Sequence, residues 1–364
     1  VKIAFRADAS AEIGTGHIMR CITLADAFKG TGGQCYFICR SIPQSLQDVI
    51  KSKGHSFFQL PHGPPFIARE DDVAHASWLG VNWEVDALHT AAVISGIEPD
   101  WIVLDHYALD HRWEKQVRGP QCKLIVIDDL FDRPHIADIL LDQNLGRSRE
   151  NYKDLVPRDC QVLAGPEFAL LRPEFEKMRA ISIERRKKPK LEKLLITMGG
   201  ADKDNVSGWL IDFFEEATDL GLLSVTVVLG ASAAHADSVK MKASTSVIDV
   251  HVLQNVNNMA ELMKDTDLCI GAAGSTSWER ACLGVPSIIF SLADNQKQIA
   301  VDLDKHKIAK QAQLWDAASL LEIVKHLRKA KNLTRLGINA AKLVDGLGAQ
   351  KVVEHVESYN VKAI

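Results

Sequence analysis

KIAFRADASAEIGTGHIMRCITLADAF, residues 2–28, sets the fold of everything that follows. The run KIAFRA (2–7) reads as a buried strand. Gly14 and Gly16 then form a tight turn. Beyond it Ile18, Cys21, Ile22, Ala25 and Phe28 recur at helical spacing, which predicts an amphipathic helix over 17–29. Strand, glycine turn and helix make one βα unit. The same alternation continues through QCYFICR (34–40), DWIVLD (100–105) and CKLIVID (122–128), each an apolar strand-like run before a helical segment. Such alternation implies a parallel sheet covered on both faces.

A second set begins after RRKKPK (185–190): EKLLITMGG (192–200), SVTVVLG (224–230), VIDVHVL (247–253), LCIGAAG (268–274) and PSIIFSL (286–292). The charged, proline-containing stretch 176–190 is read as a linker. It divides a Rossmann-like domain over 1–175 from a second over 191–364, whose Lys-, Ala- and Leu-rich tail is helical. The expected fold is therefore α/β: two Rossmann-like domains whose parallel sheets face across a cleft and bind ligand at the carboxyl ends of their strands.

The bulk properties narrow the function classes. At 364 residues the chain exceeds one usual hydrophobic core. Its net charge of −4, with neither half strongly basic, leaves no electrostatic footprint for nucleic acid or an anionic membrane. No apolar stretch approaches the ~18 residues of a membrane span. The first strand starts at Val1-Lys2-Ile3, so no signal peptide is expected and the compartment is read as cytoplasmic. Seven cysteines without paired spacing argue against a disulfide framework and a zinc site, and are read as core residues. No metal and no cofactor are expected, and the chain is expected to act as a monomer.

Chemistry concentrates at the predicted strand ends. In GAAGSTSWERACLGVPSIIF (271–290), Gly274, Ser275 and Thr276 open a helix that carries Glu279. Free N–H groups at such a helix start suit a diphosphate, and a glutamate one turn in suits a ribose diol. A cap with a favourable first-turn charge would give the same pattern. Gly199 and Gly200 in TMGGADKDN (197–205) form another glycine turn after a strand. SLADNQKQ (291–298) supplies Asn295 and Gln296, whose amides both donate and accept. Three such loops at successive strand ends favour a nucleotide-sugar site over loop filler.

In the N-terminal half, Gly14-Thr15-Gly16-His17 begins like a dinucleotide fingerprint, but the third glycine position is Met19. A nicotinamide site is therefore not expected. The turn instead presents an imidazole at a helix mouth, which favours its neutral, proton-accepting form. The bland reading, a structural histidine, fits poorly with the glycines at 14 and 16, which cost helix stability and remove side-chain shielding beside it. Asp105, His106 and Tyr107 follow a strand, as do Asp128 and Asp129; consecutive strand-end residues point to opposite faces, so one of the two acids is expected in the cleft. Gln143 and Asn144 repeat the amide theme, and Arg172 in ALLRPEF could meet a diphosphate or form an ordinary ion pair.

Taken in order, FRADAS, IGTGHIMRC, WLGV with the following DA (Trp78 to Ala87), LDHY, IDD, ALLRPEF, MGGAD and AGSTSWE resemble the UDP-sugar hydrolases of pseudaminic acid biosynthesis, over nearly the whole chain to about residue 310. The GGxD and GSTxxE elements are shared more widely with glycosyltransferases of the GT-B architecture. The resemblance implies a GT-B-type pair of domains with UDP held in the C-terminal one. It also implies cleavage of UDP-2,4-diacetamido-2,4,6-trideoxy-β-L-altropyranose by water with inversion, in a route to flagellin glycosylation or surface polysaccharide. His17 would be the base. Gly14, Thr15, Gly16 and Tyr107 would line the sugar, with Asn295 and Gln296 near it and Arg172 on the substrate. Gly274, Ser275, Thr276 and Glu279 would hold diphosphate and ribose, Gly199 and Gly200 would border the ligand, and the backbone near Val256 and Met259 would meet uracil. Trp278 stands where a polar residue would suit the sugar better. A glycosyltransferase with a UDP-sugar donor and a non-catalytic nucleotide-sugar binding module are the alternatives.

Overall fold

The computed structural model describes all residues except 11, 218, 219, 222, 223, 232, 363 and 364, and no side chain of Asn295 or of residues 360–362. By internal contact the chain forms two units, Val1–Leu170 with Leu347–Ile364, and Leu171–Gly346.

The first unit runs β1 (Lys2–Ala7), α1 (Gly16–Gly30), β2 (Gln34–Cys39), α2 (Gln44–Ser52), β3 (Ser56–Gln59), α3 (Trp83–Ile97), β4 (Trp101–Asp105), α4 (His111–Val117), β5 (Lys123–Ile127), β6 (Ile139–Asp142) and β7 (Gln161–Ala164). All seven strands are parallel, in the order β3-β2-β1-β4-β5-β6-β7. Side chains alternate across this sheet as the pleat requires. Ile3, Phe5, Trp101, Val103, Ile125 and Ile127 join one core with α1 residues Ile18, Cys21, Ile22 and Phe28. Ala4, Ile102, Leu104, Leu124 and Val126 join another with Ala87 of α3 and Trp113 of α4. Both faces are covered, as the apolar strand runs predict.

The second unit runs α5 (Pro173–Arg185), β8 (Lys193–Thr197), α6 (Val206–Glu216), β9 (Ser224–Leu229), α7 (Ala236–Thr245), β10 (Val250–Gln254), α8 (Met259–Lys264), β11 (Leu268–Ala272), α9 (Thr276–Cys282), β12 (Ser287–Phe290), α10 (Asp294–Lys305), β13 (Lys310–Gln311), α11 (Ala317–Leu327) and α12 (Ala330–Leu343). Its strands are again all parallel, in the order β10-β9-β8-β11-β12-β13.

The domain limits differ from the expectation at both ends of the second half. The stretch 176–190 is not a linker: most of it is α5, whose Phe175 is buried and whose Ser182 hydroxyl donates to the Leu283 carbonyl at 2.7 Å. Only its last residues are irregular. The final helix α13 (Gly348–Lys362) belongs to the first unit. Ala349, Val352, Val353 and Val356 fill the core beside α1, and the Tyr359 hydroxyl donates to Asp138 at 3.1 Å. An apolar stripe pairs with whichever uncovered sheet face fits it, and chain distance does not enter.

Candidate active site

In the first sheet the chain leaves β1 towards β2 and β3 on one side, and β4 opens the other side. Loops after β1 and β4 therefore diverge at this point, which is where open α/β sheets bind ligands. After β1 the chain turns back on itself: Gly14 N–H donates to the Ser10 carbonyl at 2.8 Å, and Gly14 takes φ +77°, a conformation that favours glycine. Thr15 precedes the helix without a side-chain cap bond, and α1 begins at Gly16. Thr15 and Gly16 are exposed while His17 is buried beneath them.

His17 is one member of a closed cluster. Its Nδ1 lies 2.5 Å from Asp105 Oδ1. Arg20, one helical turn further along α1, grips the same carboxylate with Nε at 2.6 Å and Nη2 at 2.6 Å. Its Nη1 donates to Asp129 Oδ2 at 2.6 Å, and the Tyr107 hydroxyl donates to that same oxygen at 2.8 Å. The Tyr107 ring meets the imidazole edge-on, with centroids 4.6 Å apart and planes at 81°. On the single-turn helix Ala76–Leu79, Trp78 and the adjacent His75 stack near Tyr107, at 5.9 and 5.6 Å between centroids.

The charges in this cluster are firmly set. Burial alone would raise the Asp105 carboxyl, but the Arg20 fork and His17 overturn that and hold it well below the usual carboxylate range. Asp105 is therefore ionised and only accepts. It follows that Nδ1 of the neutral imidazole carries the proton and Nε2 keeps the lone pair. Burial, then Asp129, pushes the Tyr107 phenol well above its ordinary value, so its proton stays on and points at Asp129. Burial lowers His75, keeping that ring neutral. Behind Asp129, burial and the Asp129 charge raise the Asp142 carboxyl to about 7.

Asp128 and Asp129 diverge as strand parity predicts. Asp128 is buried against Arg133 and the amides of Leu130 and Phe131, whereas Asp129 faces the His17 cluster. His106 turns from the cluster to Asp8, part of a buried group with Arg6 and Asp86 that secures the other face. Gln143 and Asn144 are buried, and Gln143 accepts from the Leu170 amide at 3.1 Å. Among the described residues no three His, Cys, Asp or Glu side chains are grouped to hold a metal ion. The seven cysteines are all free and buried.

In the second unit the chain reverses sheet direction between β8 and β11, and two of the glycine turns sit at those strand ends. Gly199 adopts φ +81° in an exposed turn with Gly200. A Cβ on Gly230, after β9, would lie 2.1 Å from the Gly200 carbonyl oxygen, so only glycine permits this packing. After β11, Gly274 and Ser275 lead into α9, a helix of seven residues with no side-chain cap. Arg280, almost fully buried, folds back under this start: it donates to Thr276 Oγ1 at 3.2 Å, Ser277 Oγ at 2.9 Å and the Ala272 carbonyl at 2.9 Å.

Beside that turn, Arg172 precedes α5 with Nη1 3.0 Å from Glu174 Oε1 and Nη2 3.7 Å from Glu279 Oε1. Burial raises the Glu279 carboxyl to about 6, with Arg172 opposing it. The Gln296 amide nitrogen lies 3.9 Å from the Cβ position of Gly274, and its oxygen accepts from the Leu292 amide at 2.9 Å. Arg172, Gly274–Thr276, Glu279 and Gln296 thus share one locality. Val256 lies in the loop after β10 and Met259 is the first residue of α8. Trp278 is buried at 1% exposure, which removes it from any ligand contact. The Asn295 side chain lies outside the described residues.

Three members of the His17 cluster were undervalued or overlooked in the sequence. Asp105 was one of several strand-end polar residues, although Trp101, Val103 and Asp105 share the parity that faces α1. Arg20 was passed over, although it stands at i+3 from His17. His75 carried no sequence signal.

Residues 210–350 match the glycosyltransferase family 28 C-terminal domain. The uncharacterized protein MJ1062 of Methanocaldococcus jannaschii is 28% identical over 85% of this chain, which spans 59% of that relative's length. The UDP-2,4-diacetamido-2,4,6-trideoxy-beta-L-altropyranose hydrolase of Campylobacter jejuni is 25% identical over 84% of this chain and 97% of its own. Among solved structures, MurG of Acinetobacter baumannii aligns with TM-score 0.70 at 14% identity, over 98% of this chain and 99% of that one. The fold is that of two Rossmann-like units, as in GT-B glycosyltransferases, and the resemblance noted in the sequence extends to the curated hydrolase.

Proposed function

We propose that this chain is a cytoplasmic hydrolase of the UDP-sugar UDP-2,4-diacetamido-2,4,6-trideoxy-β-L-altropyranose, with His17 as base. The carrying observation is the 2.5 Å bond between His17 Nδ1 and an ionised Asp105, which leaves Nε2 as the proton acceptor. A water gives its proton to Nε2 while its oxygen attacks the anomeric carbon. The bond from that carbon to the diphosphate oxygen breaks with its electron pair going to UDP. Attack opposite the leaving group inverts the anomeric centre, as in inverting glycoside hydrolysis. Diphosphate is a good leaving group, so the step needs a base more than an acid. Such a base contributes about 10²–10⁴-fold.

On the second unit, Arg172, the Gly274–Thr276 turn and Glu279 are suited to diphosphate and ribose, with Gly199, Gly200, Val256 and Met259 as further binding positions. Gly14, Thr15, Gly16, Tyr107 and Gln296 are assigned to the sugar. The Campylobacter relative, whose whole length this chain nearly matches, supports the substrate. The family 28 match over 210–350 supports a second reading, a glycosyltransferase with the same donor. The test is UDP release from the diacetamido UDP-sugar by purified protein in EDTA without acceptor. Turnover that disappears in His17→Ala establishes the hydrolase. Saturable UDP binding without release leaves instead a transferase awaiting its acceptor or a non-catalytic binding module.

A further inference from the structure

Arg20 and Asp129 take no part in the proton transfer, yet the cluster closes through them. The guanidinium uses one edge, Nε and Nη2, for both oxygens of Asp105, and its remaining corner, Nη1, for Asp129. Turning the Asp105 carboxylate away from His17 would break both bonds of that fork, so its Oδ1 is fixed and the imidazole with it. Asp129 in turn is held by the Tyr107 hydroxyl, and the Tyr107 ring meets the imidazole from a second direction. His17 is therefore gripped through Asp105 and through Tyr107, and both grips lead back to Arg20.

Two carboxylates, Asp105 and Asp129, share the one Arg20 guanidinium, and among the described residues Asp129 Oδ1 is buried without a hydrogen-bond partner.

We propose that Arg20 and Asp129 are positioning residues: Arg20 fixes the tautomer and orientation of His17 through Asp105, and Asp129 locks Arg20 in place. The inference rests on His17 being the base. An ion pair serving stability alone would need neither the shared oxygen of Asp129 nor the closed path, and buried pairs are weak stabilisers in any case.

The test uses Arg20→Lys, which keeps the charge and loses the fork, and Asp129→Asn, which keeps shape and loses the charge. Both are expected to lower kcat by about 10-fold or more with KM little changed, a pattern of lost transition-state positioning. The downfield proton resonance of His17 Nδ1–H is expected to shift or broaden in both variants. Should Arg20→Lys fail to fold, as a melting curve would show, Asp129→Asn carries the test. Folded variants with unchanged kcat and resonance overturn the proposal. The resonance is read without substrate, so it decides the brace even where absent UDP release has refuted the hydrolase reading.

Discussion

Asp105 Oδ1 lies 2.5 Å from His17 Nδ1, joining the end of β4 to the first turn of α1. That bond turns a histidine at a helix mouth into one with a defined tautomer. It makes Asp105 as testable as His17. His17→Asn is expected to lower turnover by about 10²–10⁴-fold. UDP affinity, measured by calorimetry, is expected to stay within about two-fold, because the nucleotide contacts are assigned to the other unit. Near-normal turnover would remove His17 from the reaction.

Asp105 also governs acid stability. Its folded carboxyl, like that of Asp8, sits well below the ordinary value, so the folded state binds fewer protons than the unfolded chain. The stability it contributes is full above about pH 4, the unfolded value, and is lost as pH falls towards the depressed one. Circular dichroism should show stability dropping steeply below about pH 4. In Asp105→Asn that drop is expected to be shallower, on a lower plateau, because the Arg20 charge is then left poorly paired.

Asp142 carries the opposite sign. Its raised carboxyl, at about 7, means that the folded state holds a proton the unfolded chain has released, so stability falls as pH rises from about 4 to 7. Asp142→Asn keeps an acceptor for the Tyr152 hydroxyl, which lies 2.9 Å away. Its melting temperature is expected to exceed that of the parent at pH 8 and to approach it at pH 5. A constant difference across that range would rule out the charge as the cause.

Glu279 gives a binding prediction. Its carboxyl ionises near pH 6, and a ribose diol is gripped better by a carboxylate than by an acid. UDP affinity is expected to rise through pH 6, and Glu279→Gln to be weaker and flat with pH. Calorimetry at pH 5.0 and 7.5 on both proteins decides this, and parallel pH dependence would dissociate Glu279 from the nucleotide.

Gly230 tests the packing of the glycine turns. A methyl there would lie 2.1 Å from the Gly200 carbonyl oxygen and 2.5 Å from its Cα, and backbone has no rotamer to yield. Gly230→Ala should cost about 1–3 kcal/mol, read as a lowered melting temperature. UDP affinity should fall with it if the Gly199–Gly200 turn borders the ligand.

The strands of five or six residues were legible as apolar runs, and β12 (SIIF), of four, only because Pro286 and Leu292 bound a longer apolar run around it. β6 (ILLD), β7 (QVLA) and β3 (SFFQ) span four residues each and β13 two, too few for a pattern to stand above its neighbours. The helical character of the tail was legible, but its partner was not, since an apolar stripe does not name the sheet it covers. The glycine turn exposed His17 in the sequence, whereas Arg20 and Asp129 acquire meaning only when three loops converge. Spacing orders residues along an element; it does not say which elements meet.

α13 returning to the first sheet has a consequence for synthesis. Residues 171–346 form one uninterrupted unit, and they are made before the helix that completes the sheet framework around them in sequence. On the ribosome the second unit can therefore reach its final structure while the first still lacks α13, the reverse of the usual first-made, first-folded order. The apolar ground beside α1 waits open for Val352, Val353 and Val356 until residues 348–362 have been made. During that interval the first unit is the one that keeps apolar core surface uncovered.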